Sequence, residues 1–131
     1  LKPDGKPWKV GIRNPRQKTR DDEIMATMEL TDMAISTSGD YERYFIIKGK
    51  RYHHILDPKT GYPADKCQSV SVIAKDGAIT DPFSTGIFVL GPEKGIKLLE
   101  EMEIDGIIVD KDGKIHTTSN LRGKVEIKGT N

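Results

Sequence analysis

Three short apolar runs punctuate the chain: Val70-Ser71-Val72-Ile73-Ala74, Gly86-Ile87-Phe88-Val89-Leu90 and Ile107-Ile108-Val109. Runs of this length, bounded by turn residues, mark elements that are buried on more than one side. The first is β-branched and ends at Asp76-Gly77, which predicts a strand over residues 69–74. Elsewhere polar and apolar positions alternate. Residues 8–12 read as a strand closed by Asn14-Pro15, and residues 24–31 set Ala26, Met28 and Leu30 against Met25, Thr27 and Glu29, as a half-buried strand would. Thr31-Asp32 makes a turn, residues 33–37 form the next strand, and Ser38-Gly39-Asp40 is expected to bend the chain sharply.

Residues 44–47 and 51–56 flank Lys48-Gly49-Lys50 as a hairpin, and residues 57–65, with Pro58, Thr60-Gly61 and Pro63, form a loop. Thr80-Asp81-Pro82 combines a capping side chain with a proline, which predicts a helix start, the helix running through Thr85 and Phe88 to Gly91. Pro92 opens a second helix with Ile96, Leu98, Leu99 and Met102 on one face. Residues 105–109 and 114–118 pair around Asp112-Gly113, and residues 125–128 add a last strand. Strands, two helices, then strands again, without βαβ alternation, predict an α+β fold: a mainly antiparallel sheet with helices packed on one side.

Composition changes this picture little. Hydrophobic residues make up 35% of the 131 and charged residues 31%, so the chain folds around one modest core and is expected to lean on further sequence. Leu1-Lys2-Pro3-Asp4-Gly5 reads as an internal turn rather than a beginning. Twenty-one basic against twenty acidic residues leave a net charge of +1, which gives no global field for nucleic acid. The basic stretch 48–51 is broken by Gly49 and reads as a solvated hairpin tip. Cys67 stands alone, so neither an internal disulfide nor a thiolate zinc cage can form. No stretch approaches the ~20 apolar residues that span a bilayer, and no membrane contact is expected from this segment.

Three segments can carry chemistry. In His53-His54-Ile55-Leu56-Asp57-Pro58-Lys59-Thr60-Gly61 a strand delivers histidine and then aspartate into a Pro/Gly loop. Histidine serves as a base near neutral pH and aspartate can orient it or bind a cation, but a hairpin with one exposed histidine and an Asp-Pro turn reads equally well. Neighbours on a strand face opposite ways, so His54 shares a face with Leu56, and His53 with Ile55. Asp81 and Thr85 lie four apart on a helix and offer two hard oxygen donors to one Mg2+, while helix capping explains the same residues without a metal. Ser36-Thr37-Ser38-Gly39-Asp40-Tyr41 would let backbone approach a phosphate or ring closely, or would be an ordinary turn.

In their order and wording these segments resemble the FAD:protein FMN transferase family, the ApbE-type flavin transferases. The matching pieces are Trp8-Lys9-Val10-Gly11-Ile12 with Pro15, Ser36 to Tyr41 with Tyr44-Phe45, His54-Ile55-Leu56-Asp57-Pro58 with Thr60-Gly61, and Asp81 to Thr85 leading to Val89-Leu90-Gly91. The resemblance covers almost the whole chain and implies the C-terminal half of a longer, T-fold-like domain, residues 1–131 being one unit of it. It implies Mg2+-dependent cleavage of FAD, with FMN moved onto a threonine or serine of a target flavoprotein and AMP released. Alternatives of the same fold are hydrolysis of FAD to FMN and AMP, or FAD binding without catalysis. By resemblance His54 is the catalytic base, Asp81, Ser84 and Thr85 are the metal residues, and Thr37, Ser38, Gly39, Asp40, Tyr41, His54 and Ile55 line the FAD pocket. Ser84 can equally cap the helix, and the role of Asp57 stays open between fixing His54 and fixing the loop. Such enzymes act outside the cytoplasm, often as lipoproteins. The isolated 131 residues are expected to bind FAD poorly.

Overall fold

The structure is a computed structural model that describes residues 1–20 and 23–128. Eight of its residues in a row, the whole of strand β6 (Cys67–Ala74), are buried. A strand buried on both faces needs a layer on each side, and the chain supplies both. β6 sits inside a four-stranded antiparallel sheet in the order β3 (Ala34–Gly39), β6, β7 (Asp105–Asp110), β8 (Ile115–Thr117). On one face Val70, Val72 and Ala74 meet Ile87, Phe88 and Leu99 of two helices, α1 (Gly77–Leu90) and α2 (Pro92–Glu101). On the other, Ile73, Ile107 and Val109 meet Ile12, Met25 and Met28. Those residues belong to a three-stranded antiparallel sheet, β1 (Trp8–Arg13), β2 (Ile24–Leu30) and β9 (Val125–Ile127). The result is the expected α+β class, with antiparallel sheets and both helices on one side.

β4 (Tyr44–Ile47) and β5 (Lys50–His53) form a separate hairpin. Its two-residue turn holds Lys48 at φ 48 and Gly49 at φ 77, the positive pair that matches the right-handed twist of adjoining strands.

Several boundaries differ from expectation. β5 ends at His53, so residues 54–56 are not a named strand, and Leu56 forms an isolated bridge to Pro63. Ser38 and Gly39 do not bend the chain but complete β3, opposite Val70 and Ser69, and the turn begins at Asp40. Helix α1 starts four residues before Asp81. Asp76 caps it, accepting the Ala78 N–H at 2.8 Å, and Pro82 lies inside the helix rather than at its first position. Pro82 has no N–H to give the Ala78 carbonyl and sits on the exposed side, where water can supply the missing bond.

Candidate functional site

Helix α1 buries Thr80, Ser84, Ile87 and Phe88, one stripe at helical spacing. Two of the four are hydroxyls because they face hydroxyls on β3. Ser36 and Ser38, two apart on one face of that strand, meet Thr80 and Ser84, four apart on the helix, at Oγ–Oγ1 and Oγ–Oγ separations of 2.7 and 2.8 Å. Thr37, between them, turns to the opposite face and meets the Ser71 hydroxyl at 2.7 Å.

The direction of the hydrogen bonds around Ser38 follows from counting protons. Ser84 Oγ donates to the Asp81 carbonyl at 2.8 Å, so Ser38 must donate to Ser84. Ser38 then has only lone pairs left for Thr85 Oγ1, 3.1 Å away, and Thr85 donates to it. The Thr85 proton therefore points into the protein, with a longer contact to the Asp81 carbonyl at 3.4 Å, and its free lone pairs face outward. Asp81 and Thr85 are exposed, while Ser84 is wholly buried with its hydroxyl spent. Among the described residues none donates to the Asp81 carboxylate. A carboxylate and an outward-facing hydroxyl oxygen, one turn apart, are a hard donor pair of the kind Mg2+ accepts, with water and phosphate to complete six positions.

The two histidines divide as strand parity requires. His53 is buried, its Nε2 is 2.7 Å from the Ala64 carbonyl, and its Nδ1 accepts the Ile55 N–H at 3.2 Å. Donating from one nitrogen and accepting at the other fixes a neutral ring, edge-on to Phe88 at 5.4 Å. His54 is exposed, and its backbone N–H is tied to the Arg43 carbonyl at 3.2 Å. Ile55 packs into the helix-side core, and its carbonyl accepts the Ala64 N–H, so its side chain supports the site from within.

Asp57 organises its own loop. Its side chain accepts the Lys59 N–H at 2.9 Å and its carbonyl accepts those of Thr60 and Gly61, while its N–H donates to the Tyr62 carbonyl. Gly61 at φ 71 completes the turn. A shallow apolar groove of about 670 Å³ runs between this loop and α1, bordered by Leu56, Pro58, Pro82, Phe83, Thr85 and Leu90. The two specific sequence blocks, one around His54 and one around Asp81, thus border a common surface.

Sequence reading named Asp40 as a pocket residue but missed its partner, Arg16. Asp40, 6% exposed, takes both oxygens to the Arg16 guanidinium at 2.7 and 2.6 Å. This bidentate pair raises the Arg16 pKa, chiefly through the Asp40 hydrogen bond, and ties the loop after β1 to the end of β3. Arg51 adds a bond to the Asp40 carbonyl at 3.3 Å. Tyr41 folds its ring over Gly39, where any Cβ would lie 2.4 Å from the ring, and burial raises its phenol pKa. A cavity of about 440 Å³ opens beside Arg16, Asp40, Arg51 and Asp57, and Cys67 is among the residues that line it. Burial pushes the Cys67 thiol up to about 12, so it is not a nucleophile. The only sequence signal for the Arg16–Asp40 pair was polar residues beside Pro15 and Gly39, which says nothing about partners 24 positions apart.

Comparison with known proteins gives a consistent answer. The model of the ApbE family matches residues 1–108. An FAD:protein FMN transferase of Klebsiella pneumoniae is 38% identical over 112 residues, 85% of this chain and 31% of the relative. One from Treponema pallidum is 36% identical over 122 residues, 92% of this chain and 33% of the relative. Among solved structures, the ApbE protein of Thermotoga maritima superposes with a TM-score of 0.82 at 39% identity, covering 91% of this chain and 38% of that one. The apo form of the Pseudomonas stutzeri flavinyl transferase ApbE gives 0.71 at 38% identity, over 93% and 38% of the two chains. The chain therefore spans about a third of the length of the relatives it matches.

Proposed function

The chain belongs to the ApbE family, and from that premise we propose that it carries the metal-binding and proton-accepting corner of an enzyme that moves FMN from FAD to a threonine or serine of a target flavoprotein. The observation that carries this reading is the common border of the two blocks. The Asp81–Thr85 turn and the loop that follows His54 flank one apolar groove of about 670 Å³.

Asp81 and Thr85 are the residues that would hold Mg2+, with Ser38 and Ser84 fixing the Thr85 hydroxyl from behind. Bound there, Mg2+ supplies neutralisation of the pyrophosphate charge that grows during phosphoryl transfer. The acceptor hydroxyl oxygen forms a bond to the phosphorus of the FMN portion of FAD. The bond from that phosphorus to the bridging oxygen breaks, and AMP leaves with that oxygen. His54, exposed and one residue beyond a buried neutral His53, takes the hydroxyl proton. Thr37 to Tyr41 contribute to the pocket through Ser38, which positions Thr85, and through the Arg16-anchored Asp40. By family likeness the full-length protein acts outside the cytoplasm, which fractionation of the source cells tests.

The decisive experiment mixes full-length protein, FAD, Mg2+ and a flavin-free acceptor protein, then looks for flavin fluorescence on the denatured acceptor together with AMP. Covalent flavin, lost in Asp81→Ala and His54→Ala, is the expected result. AMP without covalent flavin would make the protein an FAD hydrolase, and FAD binding without AMP would make it a binding protein.

A further inference from the structure

The β4–β5 hairpin has no role in that scheme, yet it is the most exposed apolar feature of the fold. Tyr44, Phe45, Ile46 and Ile47, consecutive along β4, are 45%, 60%, 58% and 53% exposed. Four neighbouring large side chains left in water are unusual, and together they make a patch rather than scattered exceptions. Both outer edges of the hairpin are open as well, since β4 and β5 pair only with each other among the described residues. An open, apolar edge strand is normally blunted by charge or cover, because it invites another chain to pair with it.

The charge on the hairpin says what kind of chain it invites. Residues 43–56 contain Arg43, Lys48, Lys50 and Arg51 and no Asp or Glu. The hairpin is also stiff: Phe45 stacks on Tyr52 at 5.4 Å, and the Arg51 guanidinium lies 3.8 Å above the Tyr44 ring. Its base is joined to the candidate proton acceptor, for the His54 N–H donates to the carbonyl of Arg43, just before β4. A partner seated on the hairpin therefore lies next to the backbone that carries His54.

We propose that the β4–β5 hairpin is the docking surface for the acceptor flavoprotein, which meets it with an acidic surface and apolar anchors. The proposal rests on the transferase reading, in which a protein hydroxyl must be brought to His54. A second copy of this chain would set four cations against four, so an acidic protein partner is the favoured occupant, and vesicle binding separates it from a bilayer.

The test uses full-length protein, FAD and the same flavin-free acceptor, with Ile46→Thr/Ile47→Thr and, separately, Lys48→Asn. Threonine keeps the β-branched shape that the strand prefers, and asparagine tolerates the positive φ at 48. The Ile46→Thr/Ile47→Thr change is expected to raise the KM for the acceptor about ten-fold, with kcat and FAD affinity unchanged. The acceptor KM of the unsubstituted protein should rise with salt, and less steeply in Lys48→Asn. An unchanged acceptor KM overturns the proposal. If it comes with a lowered melting temperature, the hairpin packs against other parts of the full-length protein. If it comes with lost binding to phosphatidylcholine–phosphatidylglycerol vesicles, the hairpin is a membrane face. Absence of any FMN transfer by the unsubstituted protein would instead overturn the transferase reading, and the docking role with it.

Discussion

Ser38 on β3 and Ser84 on α1 meet hydroxyl to hydroxyl at 2.8 Å in a space that Ser84 shares with no solvent. The contact has two consequences. It fixes the helix against the sheet, and it forces the Thr85 proton inward, which leaves oxygen lone pairs where a cation can reach them.

Ser84→Ala should disturb both, and Thr85→Val only the second. The Ser84→Ala substitution removes the buried hydroxyl that accepts from Ser38 and donates to the Asp81 carbonyl, while Thr85 remains within reach of both, so the cost is about 1 kcal/mol. Chemical denaturation should show that loss, and isothermal titration with Mg2+ and FAD should show weakened metal affinity because Ser38 is then free to donate to Thr85. Thr85→Val should leave stability nearly unchanged, as Thr85 is exposed, but weaken Mg2+ affinity. Retained Mg2+ affinity in Thr85→Val would remove Thr85 from the metal shell.

His53 and His54 are adjacent in sequence and opposite in consequence. His54→Gln should lower the rate by about 10²–10⁴-fold with an unchanged melting temperature, since its ring is in solvent. His53→Ala empties a core position and strands both the Ala64 carbonyl and the Ile55 N–H, a loss of about 2–4 kcal/mol. Thermal melts and FAD turnover on the two variants check the contrast; a destabilised His54→Gln would mean the ring has a structural role.

The contrast also shows what the sequence could and could not tell. Alternation placed His53 and His54 on opposite faces, and that parity survived although β5 ends at His53. Hydrophobic pattern likewise located β1, β2, β6 and both helices. The start of α1 was missed because Asp76-Gly77 serves twice, ending one strand and capping the helix, while Pro82 imitates a first-turn proline. Ser36 and Ser38 are spaced for a strand, Thr80 and Ser84 for a helix. Only the packing of those two elements turns four ordinary hydroxyls into a ladder, and no local rule foresees it. The family-like order of motifs is what put forward His54, Asp81 and Thr85 where local chemistry left them undecided.

Arg16 and Asp40 form the shortest ion pair among the described residues, and breaking it should be felt in both stability and geometry. Asp40→Asn leaves the guanidinium with a neutral partner and loosens the end of β3 beside Ser38. Full burial of such a pair would cost about 3–5 kcal/mol on losing one member. Arg16 is 38% exposed and screened by water, so about 2 kcal/mol is expected. A double-mutant cycle with Arg16→Met measures the coupling; a coupling near zero would show that the pair holds nothing in place.

Asp110 gives the fold an acid limb. At the end of β7 its carboxylate accepts the N–H groups of Asp112 and Lys114 at 2.9 and 3.0 Å and meets His116 Nε2 at 2.8 Å. The His116 bond is the largest cause that holds its pKa below the ordinary 3.8, with the two backbone bonds adding to it. A carboxyl with a depressed folded pKa stabilises the native state fully above its unfolded value, and the contribution disappears as pH falls through the lower, folded value. Stability from this group should therefore be flat above 3.8 and decline below it, as the β7–β8 turn loses its charged acceptor. Asp110→Asn can still accept from the two backbone groups through its amide oxygen but has nothing to titrate. Unfolding free energies of the two proteins, measured across this range, should differ by a constant at neutral pH and converge in acid. Parallel curves down to the lowest pH would mean that Asp110 titrates with the same affinity folded and unfolded, and that its three hydrogen bonds do not favour the charged form.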